Sequence, residues 1–174
     1  MHIPKQRSSD AIFPDYPSNA RTFITLDSKL LPYWHLIFDL CPVLLKLDPP
    51  DGLKMFRRFM SWAYRNQPSQ DWTFHVSLCR WLLNSKFAPE LSTSHVEGLL
   101  SAAAARWASN DYSRAKGILI ACSVIPTITL EWKSHNNNQG INFDLLPPAR
   151  MDFAWSPLTG SGEKGFQRWL RIPE

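Results

Sequence analysis

Residues 117–133 read GILIACSVIPTITLEWK, and this stretch decides the fold class of the 174-residue chain. Its first part, 117–126, is a continuous apolar run of the length of a buried strand. Its second part, 127–133, alternates apolar and polar side chains, which is typical of a strand with one buried face. Because the patterns before Gly117 are mostly helical, the chain is predicted to change from helix to sheet at this residue.

The sequence after residue 133 carries further strand signals. SHNNNQG at 134–140 has turn chemistry, and it leads into two strand patterns, INFDLL at 141–146 and MDFAW at 151–155. FQRWLRI at 166–172 fits either a closing strand or a helical turn. These short segments follow one another through turns, so the sheet is expected to be small and mainly antiparallel.

Two helices are predicted in the first third of the chain. Ser28 can cap the first, and Pro42 should end or kink it. The segment DPPDG at 48–52 combines acids and prolines, which are typical of a helix start. It therefore predicts a second helix over roughly 51–66.

The segment at 72–83 is ambiguous. WTFHVSLC at 72–79 alternates apolar and polar residues, which slightly favours a strand. A helix remains the alternative, because Ser69 and Asp71 could start one and an apolar run continues it.

The clearest helix signal lies at about 95–109. Ser94 and Glu97 match a capping box, and a run of alanines in this segment favours helix intrinsically. A short turn of helix is expected to follow at Asp111–Lys116.

These segments predict an α+β fold in which N-terminal helices precede a small, mainly antiparallel sheet within a single domain. An arm at 1–22 contains three prolines and is expected to be extended or mobile. The globular domain is expected over 23–174, helical over 28–116 and β-rich over 117–172.

Charge and cysteine usage bound the environment and the partners. The net charge of +4 and the pI of about 9.1 favour anionic partners without demanding one. Cys41, Cys79 and Cys122 form no disulfide framework, so reduced, buried thiols are expected. No signal peptide is visible, and the longest hydrophobic window, 30–45, is too short to span a bilayer. We therefore expect an intracellular, cytoplasmic protein without a transmembrane segment.

Two segments resemble catalytic or cofactor motifs by letter only. GSGEKG at 160–165 satisfies GxGxxG, but too little chain follows it to build a βαβ unit. Ser113–Lys116 spells SxxK, yet the companion motifs of serine–lysine hydrolases are absent. Neither segment therefore predicts a cofactor site or a nucleophile.

Histidines and carboxylates give no active site either. His35 with Asp39 is expected to be a structural pair, and His75 with Cys79 lacks a third, orienting group. Several acids occupy positions that suggest helix caps: Asp48, Asp51, Asp71, Glu97 and Asp111. No catalytic residue, no metal ligand and no cofactor is predicted.

The helix at 51–66 has a segregated basic face, which we define as Lys54, Arg57, Arg58 and Arg65. At a helical period these four side chains fall within one arc of about 100°, and Tyr64 lies at its border. Such a face can hold phosphates or carboxylates, so we predict an anionic partner: nucleic acid, an acidic protein or anionic lipid. The alternative is an ordinary solvated helix face.

The first functional hypothesis is therefore a non-enzymatic binding or assembly protein that uses this basic face. The second is a protein–protein module, such as an inhibitor, immunity factor or oligomeric structural subunit. Its possible interface residues are Tyr64, Trp155 and Trp169, and the two tryptophans in particular would anchor a partner or self-association. The third is a small enzyme without a recognisable motif. The outline of a Pro/Tyr-containing arm on a basic, tryptophan-rich body resembles small viral matrix or nucleoprotein-associated proteins. No residue pattern carries this resemblance, so no functional residue is transferred from it.

Overall fold

The computed structural model describes residues 28–134, 150–159, 166 and 168–174. The predicted fold class is confirmed: helices precede a four-stranded antiparallel sheet. Two compact units are distinguished, Met1–Arg65 and Asn66–Glu174. The predicted arm at 1–22, the strand at 141–146 and the loop at 160–165 lie outside the described residues.

Regular elements occupy most of the described chain. The helices are α1 (Leu31–Phe38), α2 (Leu53–Asn66), α3 (Phe74–Leu83) and α4 (Thr93–Asn110), with short 3₁₀ helices at Pro42–Leu47 and Ala88–Glu90. The strands are β1 (Gly117–Cys122), β2 (Thr127–Trp132), β3 (Phe153–Leu158) and β4 (Leu170–Arg171). The ambiguous segment 166–172 thus contributes a short strand.

In the first unit, α1 and α2 meet through aromatic rings. The Trp34 ring centroid lies 4.4 Å from that of Phe38 and 5.1 Å from that of Phe56. Gly52 precedes α2 with a φ of 71°, and a Cβ there would lie 3.1 Å from the Phe38 ring. The glycine is therefore required twice, by its left-handed backbone and by the ring beside it.

The slight preference for a strand at 72–83 is wrong, because this segment forms α3. Asp71 Oδ1 accepts hydrogen bonds from the backbone and the hydroxyl of Thr73, at 2.7 and 2.6 Å, just before the helix begins. The helix buries six side chains, Phe74, His75, Val76, Leu78, Cys79 and Leu82. Burial on several sides of one helix leaves few polar positions, and over a short window this imitates the alternation of a strand.

The predicted capping box at Ser94 and Glu97 is also wrong. The N-cap of α4 is Ser92, and His95 supplies the reciprocal bond, with its Nδ1 3.1 Å from the Ser92 backbone nitrogen. Imidazole therefore replaces the usual carboxylate or amide of the box. The helix turn expected at Asp111–Lys116 is absent, since these residues form a loop after α4.

The sheet has the strand order β2-β1-β3-β4, and each neighbouring pair is antiparallel. Every residue of β1 is buried, as its continuous apolar run predicted. The end of that run, residues 123–126, forms the turn into β2. Gly117 lies opposite Trp132 in the β1–β2 register, and a Cβ on Gly117 would lie 2.7 Å from the indole ring.

One guanidinium connects α3 to the sheet and to the C-terminal segment. Arg80 Nε and Nη2 donate to the two carboxylate oxygens of Asp152 at 2.6 and 3.2 Å. Nη2 also donates to the carbonyl of Ile172 and Nη1 to that of Pro173. The Arg80 guanidinium carbon lies 5.3 Å from the centroid of the Phe153 ring. This single side chain therefore fixes the start of β3 and the last residues of the chain.

The close approach of Gly117 to Trp132 predicts that Gly117→Ala destabilises the second unit. The added methyl group has to displace the indole from its cross-strand position, which we expect to lower the free energy of unfolding by about 1–3 kcal/mol. Thermal and urea unfolding measure the effect. Lys116→Ala, which removes an exposed side chain next to it, should change stability by less than about 0.5 kcal/mol. Equal stability of the two variants would contradict the packing described.

The Arg80–Asp152 pair predicts an acid-dependent contribution to stability. Burial alone would raise the pKa of Asp152, but hydrogen bonds from Arg80 and the Phe153 amide, with the charges of Arg80 and Arg171, lower it overall. A carboxyl whose pKa is lower in the folded state stabilises the protein above its unfolded pKa, about 3.9, and the contribution is lost as pH falls through the folded pKa.

Asp152→Asn should therefore lower the free energy of unfolding by about 2 kcal/mol at pH 7. The difference from the wild-type protein should shrink below about pH 4. Urea unfolding across the pH range measures it, with Glu97→Gln as the control because Glu97 is an exposed carboxylate of α4. A difference that stays constant down to pH 2 would show that the ion pair is not its source.

Candidate anion-binding site

The basic face lies on α2, which has a sharply divided surface. Lys54, Arg57, Arg58 and Arg65 are all exposed. The opposite side of the helix is buried and consists of Met55, Phe56, Phe59 and Ala63. From Lys54 to Arg65 the face runs about 16 Å along the helix axis. The helix is thus anchored by its apolar side and presents its cations outward.

Acidic side chains near the basic face are engaged with the helix backbone. Asp48 Oδ2 accepts a hydrogen bond from the amide of Met55 at 2.7 Å, and Asp51 Oδ1 accepts one from the amide of Leu53 at 3.1 Å. These contacts satisfy amides of the first turn, which have no partner within the helix. No acidic residue occurs within α2 itself, so the charged side chains of the helix are all positive.

The aromatic residues of α2 contribute little exposed ring surface. Phe56 and Phe59 are buried, and Trp62 stacks on Phe59 with ring centroids 5.7 Å apart. Tyr64 differs, since its side chain is 80% exposed beside the basic face. Because bases bind single strands by stacking on successive rings, one exposed ring is a poor platform for nucleic acid.

The two tryptophans predicted at an interface are half-buried in the second unit. Trp155, on β3, contacts Trp72 edge-on with ring centroids 5.6 Å apart. Trp169 packs against a small cluster that contains Leu119, Leu158 and Phe166. Each indole thus has an intramolecular packing role, and the assignment of Trp155 and Trp169 to an interface stays a prediction.

The residues that resembled catalytic pairs have distinct environments. His35 Nδ1 and Asp39 Oδ2 are 3.2 Å apart on the solvent-accessible side of α1. His75 and Cys79 are both buried in α3. The SxxK serine, Ser113, donates from its hydroxyl to Asp111 rather than to a lysine. The hydroxyl of Ser113 is therefore bound to a carboxylate, not to the lysine that a serine–lysine pair requires.

Two further properties concern only the part of the chain that the structure describes. No three His, Cys, Asp or Glu side chains gather there in a group that could hold a metal ion. No helix there is long and apolar enough to cross a membrane.

Tyr112, in the loop after α4, is a residue that the sequence did not single out. Asp111, read as a cap at the start of a helix, instead follows the end of α4 and pairs with Lys133. Tyr112 follows it and is 99% exposed. In the sequence Tyr112 is an isolated aromatic residue, flanked by polar residues and outside any periodic segment. This pattern could have identified it as exposed.

The three cysteines are predicted to be unreactive in the folded protein. Cys41, Cys79 and Cys122 are free and buried. Burial raises the pKa of Cys41 to about 12, although a hydrogen bond with the backbone of Leu44 partly opposes this. Because the thiolate is the reactive species, an aromatic disulfide reagent at pH 8 should modify the native protein very slowly and all three thiols after denaturation. Rapid native modification of one thiol would contradict the burial described.

Comparison with known proteins places the chain in a family. No curated protein matches the chain significantly. The family model that describes methanobactin biosynthesis cassette proteins of the MbnC-like type matches residues 13–173, which is nearly the whole chain and includes the basic face and the sheet. The chain therefore belongs to the MbnC-like family.

Proposed function

We propose that this chain is a non-enzymatic binding protein of a methanobactin-type biosynthesis cassette and that the basic face of α2 contacts an acidic protein partner. The family description supplies the biosynthetic setting. The basic face supplies the mode of binding.

The division of α2 into a buried side and a cationic side carries the proposal. A helix held by its apolar side presents cations in a fixed row, which lowers the cost of ordering them against a partner. Three of the four are arginines, whose planar guanidinium groups bind carboxylates through paired hydrogen bonds. The geometry therefore suits a partner with a row of anionic groups, such as the carboxylates of an acidic protein.

The alternatives to an acidic protein are less well supported. Nucleic acid binding gains little from stacking here, because Tyr64 is the one large apolar or aromatic side chain on α2 that is strongly exposed. A helix that binds a membrane surface inserts its apolar side into the lipid, whereas the apolar side of α2 is buried in the protein. Both alternatives remain outcomes of the test below.

The state of the reactive side chains supports a role without catalysis. The thiols are buried, and burial favours the protonated, unreactive form of Cys41 and Cys122. The hydroxyl of Ser113 and the ammonium group of Lys133 are both bound by the carboxylate of Asp111. In the folded chain these groups are therefore either buried or hydrogen-bonded locally.

Reversal of the basic face is expected to abolish partner binding. The tagged protein is coexpressed with each other product of its cassette to find the product that co-purifies with it. The two proteins are then purified separately, and their affinity is measured by titration calorimetry at 50 and 300 mM salt. Lys54→Glu, Arg58→Glu and Arg65→Glu together should weaken binding at least 100-fold, since attraction becomes repulsion. Binding by the wild-type protein should weaken as salt rises.

A matched control carries the same change in charge at other exposed sites: Lys46→Glu, Arg150→Glu and Arg168→Glu. It should retain most of the affinity, and both triple variants should keep the wild-type circular dichroism spectrum. Equal loss in both would indicate a net-charge effect and contradict a specific face. If no cassette protein binds but a DNA oligonucleotide or phosphatidylserine vesicles bind in a salt-sensitive way, the partner of the basic face is that ligand and not an acidic protein.

A further inference from the structure

Tyr112 is a fully exposed aromatic side chain on a loop of the second unit. Its side chain is 99% exposed, whereas Val124, another exposed apolar residue of this unit, is 58% exposed. An aromatic ring left in water forgoes a large gain from burial, because such rings bury 150–250 Å² when they pack. The position is therefore a candidate contact for a partner.

The loop that carries Tyr112 is held on its N-terminal side by one ion pair. Asp111 lies 2.5 Å from Lys133 Nζ and accepts a hydrogen bond from the amide of Ser113 at 3.0 Å. Lys133 also donates to the carbonyl of Ser113 at 2.7 Å and lies 4.7 Å from the centroid of the Trp107 ring. Lys133 thus holds Asp111 and Ser113, the residues on either side of Tyr112 in the sequence.

The C-terminal side of the loop is fixed to the sheet. Ala115 is buried, and the amide of Lys116 donates to the carbonyl of Leu158 at 2.7 Å. The carbonyl of Lys116 accepts from the amide of Lys133 at 3.0 Å. A loop fixed at both ends presents its exposed ring without a large loss of backbone freedom on binding.

The exposed charged side chains of the loop are positive. Arg114 and Lys116 are exposed in the same loop, and the charge of Asp111 is balanced by Lys133. Burial alone would raise the pKa of Asp111, but hydrogen bonds from Lys133 and Ser113 lower it, so the ion pair persists at neutral pH. Arg114 and Lys116 therefore repel a second copy of this basic chain and attract an acidic protein.

We propose that residues 111–116 form a docking loop in which Tyr112 inserts into an apolar pocket of a partner protein and Arg114 and Lys116 contact carboxylates at the edge of that pocket. Tyrosine is enriched at the energetic centres of interfaces, where it gives a large contact area and has few rotatable bonds. The docking loop belongs to the second unit and the basic face of α2 to the first, so the two proposals rest on separate observations.

The test uses the full chain and each other product of its cassette, purified separately. Tyr112→Ser should weaken binding to the product that the wild-type chain binds at least about tenfold. Its melting temperature should equal that of the wild type, because the ring has no buried contacts to lose. Val124→Ser, which trims another exposed apolar residue, should keep the affinity. Arg114→Glu with Lys116→Glu should slow association and reduce its dependence on salt.

A photo-crosslinking residue at position 112 gives a second, direct readout. It should join the chain to the same cassette product, while the same residue at position 124 should not. Wild-type affinity in Tyr112→Ser, crosslinking only between copies of this chain, or no complex with any product would each overturn the docking loop. Loss of binding in Tyr112→Ser but not in the triple reversal of α2 would support the loop and reject the proposed basic face, and the opposite pattern would do the reverse.

Discussion

The bonds of the Arg80 guanidinium are the constraint on which the second unit depends. Through Asp152 they fix the beginning of β3, and through the carbonyls of Ile172 and Pro173 they hold the residues that follow β4. These partners lie more than 70 residues from Arg80 in sequence, as the separations of 72 to 93 show. The ion pair is only partly exposed, so screening by salt weakens it less than a surface pair. The helix α3, near the middle of the sequence, is thereby joined to strands that the C-terminal part of the sequence forms.

A second ion pair organises the opposite end of the sheet by the same means. Lys133 follows β2 and contacts Asp111, the Ser113 carbonyl and the Trp107 ring, which brings the end of α4 to the beginning of β1. In both pairs the cation also lies over an aromatic ring, which adds attraction where water is partly excluded. These cations are structural, whereas the cations of α2 point away from the buried side of their helix. The two groups of cations thus differ in environment, since the four cations of α2 are exposed whereas Arg80 and Lys133 are largely buried in their ion pairs.

The chain belongs to the MbnC-like family, and its described part carries two exposed basic elements. The basic face of α2 and the loop around Tyr112 are built differently. The first gains rigidity from an apolar helix side buried in its unit, and the second gains it from an ion pair and backbone bonds to the sheet. Rigid, positively charged elements of this kind favour fast, specific association with acidic proteins.

The sequence by itself determined the elements whose signal is local. The switch to sheet at Gly117, the extent of α2 and the segregation of its four cations follow from side-chain periodicity, which neighbouring residues fix. It misjudged α3 and the N-cap of α4, because burial on several sides hides a helical period and His95 replaces the expected acid. Only the tertiary structure decided the roles of Arg80, Lys133 and the two half-buried tryptophans. Their partners are distant in sequence, and no local pattern records which distant groups a folded chain brings together.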